Sequence, residues 1–207
     1  MAGVSGLATP WRLHAVLPRS AANGPGVRYV VWSQGCALNC PGCFNPETHS
    51  APGPGLVRGV GEVADEALAD AAHIEGVTLT GGEPLEQPAA VAAFCAEVRA
   101  RSSLSVIVLT GFTRAEIEAD PARSAAVADA DLVVAGRYNA RLRLARGLRG
   151  SSNKEYWTRT GRYTADDLAA VPELEITVAD DATVTFTGMA APGGEFFRGD
   201  RGHRGHR

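Results

Sequence analysis

The sequence has only four cysteines, and only Cys95 lies outside one short stretch. That scarcity excludes a disulfide scaffold, since secreted scaffolds of that kind are short and cysteine-dense. It also counts against a closed structural zinc site. Such a site wants four ligands, commonly as two short pairs, and no second pair exists here. No apolar run is long enough to span a bilayer. The N-terminus lacks the basic start, apolar core and small-residue cleavage site of a signal peptide. No charge of one sign dominates either: a formal net charge of -3 gives no electrostatic case for nucleic acid or an anionic membrane. With 207 residues, 45% hydrophobic and 21% charged, the chain suits one soluble globular domain with at most a small appendage. Cytoplasm is the expected compartment, because exposed thiols want reducing conditions.

What is present is concentrated in Cys36-Ala37-Leu38-Asn39-Cys40-Pro41-Gly42-Cys43-Phe44-Asn45, a C-x3-C-x2-C spacing. Thiolates are soft ligands that suit Fe–S clusters, zinc and Cu(I). A cubane [4Fe–4S] cluster is usually held by four cysteines, so three leave one iron open to a small molecule. The competing reading is a zinc site completed by His49, the one histidine nearby, or by Cys95. The spacing favours the open cluster.

Read for pattern, the chain alternates strands and helices. Residues 1–11 read as loose, and Arg12 to Val16 as a short strand that edges or covers the sheet. Asn23-Gly24-Pro25-Gly26 is a turn, and Tyr29-Val30-Val31-Trp32 a buried strand. The cysteine loop follows that strand, at the carboxyl end where parallel α/β folds bind ligands. Residues 51–55 read as a loop. A helix is expected over Val63 to His73, with His73 structural at its C-terminus. Then come a strand over Gly76 to Thr80, Gly81-Gly82-Glu83-Pro84, and a helix over Pro88 to Arg101 that buries Cys95 as a small hydrophobe. Leu104 to Leu109 and Leu132 to Ala135 are two further strands, with a capping box at Thr113 and Glu116 between them. Arg141 to Arg149 reads as a basic irregular loop over the sheet's mouth, and Glu173 to Val178 with Thr183 to Thr187 as an antiparallel hairpin. The expected fold is α/β: a partial (β/α) barrel with an open side, a parallel sheet, and a C-terminal β-hairpin. A domain over 12–190 and a disordered tail over 191–207 complete it.

The triplet just after a strand, with Gly81-Gly82-Glu83-Pro84 about 40 residues downstream, resembles the radical S-adenosylmethionine (SAM) superfamily. With Asn23 to Arg28, Thr110-Gly111-Phe112 and Arg149-Gly150-Ser151-Ser152-Asn153, it resembles the activating proteins of glycyl radical enzymes. The nearest likeness is to the anaerobic ribonucleoside-triphosphate reductase activating type, in which the aromatic residue follows the third cysteine, as Phe44 does here. That resemblance implies that Cys36, Cys40 and Cys43 hold a [4Fe–4S] cluster whose open iron takes SAM. It implies reductive cleavage of SAM to a 5′-deoxyadenosyl radical. It further implies cofactor contacts from Gly81, Gly82, Glu83, Pro84, Phe44, Asn45, Thr110, Ser152 and Asn153. The implied partners are a glycyl radical protein and a flavodoxin- or ferredoxin-type electron donor. Two positions depart from the likeness: Ala135-Gly136-Arg137 carries no acid, and Lys154 replaces a neutral amide. Two other functions compete. One is a radical SAM enzyme acting on a small molecule or peptide; the other is a non-catalytic Fe–S carrier, which would not need the Gly-Gly-Glu-Pro turn.

Overall fold

The computed structural model describes residues 6–50 and 55–190. Its frame is a seven-stranded sheet whose order from edge to edge is Leu56–Gly59, Pro10–Ser20, Arg28–Ser33, Gly76–Gly81, Ser105–Leu109, Leu132–Ala135 and Glu155–Thr158. The four central strands are β2 (Arg28–Ser33), β4 (Gly76–Gly81), β5 (Ser105–Leu109) and β6 (Leu132–Ala135). They run parallel, with Val31 beside Leu79, Leu79 beside Val108, and Val108 beside Val133. These are the four expected strands, and most of their residues are buried on both faces.

The sheet is mixed rather than wholly parallel. β1 (Pro10–Ser20) is eleven residues long and lies inside the sheet, antiparallel to β2 on one side and to β3 (Leu56–Gly59) on the other. The expectation of a short edge strand over Arg12 to Val16 is therefore corrected, as is that of loose chain at Pro10 and Trp11; residues 1–5 lie outside the described residues. Trp11 is fully buried against Phe94, with ring centroids 5.2 Å apart, and that anchor draws the strand's start into the core. β9 (Glu155–Thr158) adds an antiparallel edge on β6. β3 and β9 are the two edges, so the sheet stays open.

The connecting helices pack together. α1 (Val60–Ala69) buries Val60, Val63, Ala64 and Ala67. It ends before His73, whose Nδ1 lies 2.9 Å from Asp70. α2 (Pro88–Arg101) has the expected bounds and buries Ala90, Val91, Phe94, Cys95 and Val98. α3 (Arg114–Glu118) starts on the expected capping box of Thr113 and Glu116, and α4 (Pro121–Ala126) follows with Asp120 as its cap. With Tyr29, Val31, Val77, Leu79, Val106, Val108 and Val133 they form the main core.

The opposite face is built differently. At its amino end Arg28 is fully buried without a carboxylate partner among the described residues. Its guanidinium instead donates to Thr78 Oγ1 at 2.7 Å, Val77 O at 2.7 Å, Ser105 Oγ at 3.0 Å and Tyr163 Oη at 3.0 Å. Toward the carboxyl ends, Ile107, Leu132 and Val134 are covered by Leu148, Val171 and Leu168 of α5 (Ala165–Ala169). Arg141 to Arg149 is not irregular throughout: β7 (Arg143–Arg146) and β8 (Arg149–Ser151) form a small hairpin. β10 (Glu175–Val178) and β11 (Val184–Thr187) form the expected C-terminal one. The expected tail over 191–207 lies outside the described residues.

Cys95 is 1% exposed within the core, and burial pushes its thiol up to about 12. Cys95→Ala removes one buried sulfur and is expected to cost about 1 kcal/mol, read as a small fall in the denaturation midpoint. Iron bound per chain after anaerobic reconstitution is expected to stay the same; loss of iron would make Cys95 a ligand.

Candidate cofactor site

The carboxyl ends of the parallel strands open into one cavity of about 1070 Å³, its open mouth included. Cys36, Cys40, Cys43, Phe44 and Asn45 line it from the loop after β2. Gly81, Gly82 and Glu83 line it from the turn after β4, and Thr110 and Gly111 from the exit of β5.

The cysteine loop is held by main-chain bonds to its neighbours. Gly35 N donates to Thr48 O at 2.8 Å and Cys36 N to His49 O at 3.1 Å, closing the loop on itself. Gly82 N donates to Ser33 O and Glu83 N to Gly35 O, both at 2.9 Å, so the two ligand loops are sewn edge to edge. Ala37 N adds a 2.8 Å bond to Glu86 Oε1. Asn45 Nδ2 reaches Gly81 O at 3.3 Å, and its own N–H lies 3.4 Å from Cys43 Sγ.

Gly81 sits at φ +102, where an L side chain is strained. A Cβ at Gly82 would lie 2.4 Å from Gly35 O and 3.0 Å from Thr48 O. The second glycine is thus required by the cysteine loop itself, not only by a ligand.

Glu83 is fully buried. Its Oε1 accepts from Leu85 N at 2.9 Å and Thr110 Oγ1 at 2.7 Å, and its Oε2 from Gly111 N at 2.7 Å. Burial pushes its carboxyl above the ordinary value, against the pull of those donors and of Lys154.

The three thiols are free and partly exposed. Burial pushes Cys36 up to about 11 and raises Cys43 as well. Among the described residues no three or more His, Cys, Asp or Glu side chains are grouped to hold a single metal ion. A cluster of several irons spreads its ligands more widely than one ion does. Three free thiols on one loop, facing one roomy cavity, fit a cluster with one iron left open.

Other sequence-derived positions fall elsewhere. Pro84 is buried and starts a 3-10 turn over Pro84–Glu86 beneath the site. Ser152 and Asn153 are exposed and do not line the cavity; Asn153 Nδ2 holds Arg137 O at 2.9 Å. Phe44 does line it, its ring 4.7 Å from Tyr138 and 4.5 Å from the Arg143 guanidinium.

Further residues complete the wall: Asn23, His49 and Lys154, each met in the sequence in another role, and the segment Phe186 to Met189. The last arrives because β10–β11 is pinned down. Ser20 Oγ donates to Glu175 Oε2 at 2.5 Å, and Asn23 Nδ2 to Thr187 Oγ1 at 2.8 Å.

Two outcomes are expected. Gly82→Val moves the cysteine loop as well as the turn, so iron content and melting temperature both fall; a variant with full iron and unchanged melting would return Gly82 to a ligand contact alone. Because its carboxyl is raised in the folded state, Glu83 favours folding most below the ordinary carboxyl value and loses that advantage as pH rises through its own. The stability of wild type relative to Glu83→Gln is therefore expected to fall as pH climbs from about 4 upward, read by urea denaturation.

A family model described as "4Fe-4S single cluster domain" matches residues 22–157. The chain is 43% identical over 81 residues to a pyruvate formate-lyase-activating enzyme of Listeria monocytogenes, covering 37% of this chain and 32% of that one. It is 40% identical over 79 residues to the enzyme of the same name from Staphylococcus epidermidis, covering 36% and 32%. The chain thus spans about a third of the length of the curated relatives it matches. The crystal structure of QueE from Escherichia coli aligns with a TM-score of 0.43 and 12% identity over 55% of this chain and 57% of that one. With two thirds of its length under one family model, this chain belongs to the 4Fe-4S single cluster domain family.

Proposed function

We propose that the chain is a radical SAM enzyme of the glycyl-radical-enzyme activating kind. The observation that carries the reading is the meeting of the Cys36, Cys40 and Cys43 thiols with the Gly81–Glu83 turn in one cavity. The similarity to enzymes named pyruvate formate-lyase-activating supports it over part of the chain.

A [4Fe–4S] cluster with SAM supplies one-electron cleavage of a sulfonium bond and hydrogen abstraction from an unactivated C–H. The chain's own residues do the rest. Cys36, Cys40 and Cys43 would hold the cluster and leave one iron open to SAM. Glu83 and Asn45 fix the loops that face it. Trp32, Leu109, Leu148 and Phe186 give the cavity apolar walls that bind a nucleoside face and exclude water.

The proposed substrate is a glycine of a glycyl radical protein, of the anaerobic ribonucleotide reductase type by the sequence motifs. A flavodoxin- or ferredoxin-type donor supplies the electron. A second reading is favoured by the wall at Phe186 to Met189, which narrows the cavity toward the size of a small molecule or short peptide.

Anaerobic protein reduced with dithionite is expected to release 5′-deoxyadenosine from SAM, and Cys36→Ala to release none. Absence of that product in wild type would leave only an electron-carrier role. Adding the glycyl radical protein is expected to yield a glycine-centred EPR doublet. Arg141 is exposed on the 3-10 turn Ala140–Leu142, and Arg146 on the β7–β8 hairpin that follows it, whose Leu148 and Gly150 reach the cavity wall. Arg141→Glu with Arg146→Glu is expected to weaken the doublet and leave uncoupled cleavage unchanged. An unchanged doublet removes this ridge as the docking surface.

A further inference from the structure

The C-terminal hairpin is patterned in reverse. In the register of β10 and β11, Ile176 faces Phe186 and Val178 faces Val184, so these four side chains share one face. Glu175 faces Thr187 on the other. That polar pair is the one turned to the domain: Glu175 accepts from Ser20 Oγ and Ala21 N, and Thr187 Oγ1 from Asn23 Nδ2. The apolar face is left outward on β10. Ile176 is 54% exposed and Val178 66%, and Leu174 extends the same alternation one step before the strand. A hairpin docked on a domain ordinarily buries its apolar face. Leu56 and Val57 of β3 are as exposed, but as consecutive residues they point to opposite sides and form no stripe.

The stripe comes with an unused main-chain edge. β10 has β11 as its one neighbour in a two-stranded sheet. Ala179 N donates to Thr183 O at 2.9 Å, which sets the phase of the ladder. Along an antiparallel pair the main-chain groups turn to the partner at every second residue. Those of Glu175 and Thr177 therefore face β11, and those of Ile176 and Val178 face outward. The residues that present apolar side chains thus also present N–H and C=O groups with no partner among the described residues. Nothing blunts this edge: Glu175-Ile176-Thr177-Val178 carries no lysine, proline or bulge, and its one charge is turned inward. The apolar face also leads to the site. Phe186 belongs to it and lines the cavity, and Gly188 and Met189 continue the same wall.

We propose that β10 is a docking strand for an extended polypeptide: a segment of the protein substrate pairs with its outer edge and lays every second side chain, apolar, beside Leu174, Ile176 and Val178. The occupant is a strand because a strand complements both features at once, the alternating apolar contacts and the row of main-chain groups. A small molecule needs neither. A chain held on this edge is delivered beside the cavity wall at Phe186 to Met189. The proposal deepens the reading of the chain as an activating enzyme, and rests on it for the identity of the substrate as a protein.

The probe is a fluorescein-labelled synthetic peptide of about ten residues, with valine alternating with serine or lysine around a central glycine. Its control has the same composition with the valines consecutive. Fluorescence anisotropy on the full chain, with and without reconstituted iron, reads binding, and amide exchange by NMR reads Ile176 and Val178. Wild type is expected to bind the alternating peptide about tenfold more tightly than the control and to gain protection at both amides. Ile176→Lys with Val178→Lys changes two exposed side chains, so the melting temperature is expected to hold while peptide affinity falls about tenfold. No binding, equal binding of the two peptides, or binding without protection of the two amides overturns the proposal. So does protection of both amides with no peptide present: that result assigns the edge to a second copy where the mass in solution doubles, and to residues 191–207 where it does not. Release of 5′-deoxyadenosine from SAM is measured on the same protein. Release without peptide discrimination removes the docking strand alone. Discrimination without release removes the activating-enzyme reading and leaves the docking strand standing.

Discussion

The Glu83 carboxylate is the joint on which the site depends. Its three hydrogen bonds tie the turn after β4 to the exit of β5, and its own N–H ties that turn to Gly35 of the cysteine loop. One residue therefore sets the spacing of three loops that each contribute to the cavity wall. A carboxylate this buried is costly unless every lone pair is used. The donors come mostly from main chain, which cannot rotate away. The same bonds that offset the cost of burying the charge also remove freedom from the thiol-bearing loop, so the loop is shaped before any iron arrives.

The two faces of the sheet divide the work. One is closed by α1, α2, α3 and α4 over a continuous apolar core, and it supplies most of the burial that drives folding. The other has only a small apolar cluster beside Leu148 and Leu168 and a polar belt around Arg28. That second face is the one a ligand can use, since less of it is filled by the protein's own side chains. The antiparallel strands at both margins widen the sheet without closing it.

The sequence showed what local chemistry decides. Val30-Val31, Val106-Ile107-Val108 and Val133-Val134 announced strands because a strand buried on both faces must be apolar at every position. Thr113 and Glu116 announced a helix start because the capping box is a local exchange of bonds. β3 and β9 were not legible: Leu56-Val57-Arg58-Gly59 and Glu155-Tyr156-Trp157-Thr158 are short, half polar, and become strands only where β1 and β6 offer an edge. The thiols and the glycine turn were legible as motifs, and they do share a cavity. Lys154 stands out in the sequence only as a departure after the Arg149 to Asn153 motif, and Phe186 to Met189 carry no motif. They reach the site through tertiary contacts that spacing along the chain does not encode. Gly82 shows a subtler gap: its glycine can be read as room for a ligand, whereas much of the room is taken by Gly35 and Thr48.

The pinning of the β10–β11 hairpin sets an order of events. The bond from Ser20 to Glu175 spans 155 residues, and that from Asn23 to Thr187 spans 164. Contacts of such separation form late, because the intervening chain must first be ordered. On the ribosome the thiols at 36–43 emerge early, and the sheet that carries them can pair long before Phe186 is made. During that interval the cavity lacks the wall that Phe186 to Met189 supply. Once the hairpin docks, the same place becomes a walled cavity that keeps an open mouth.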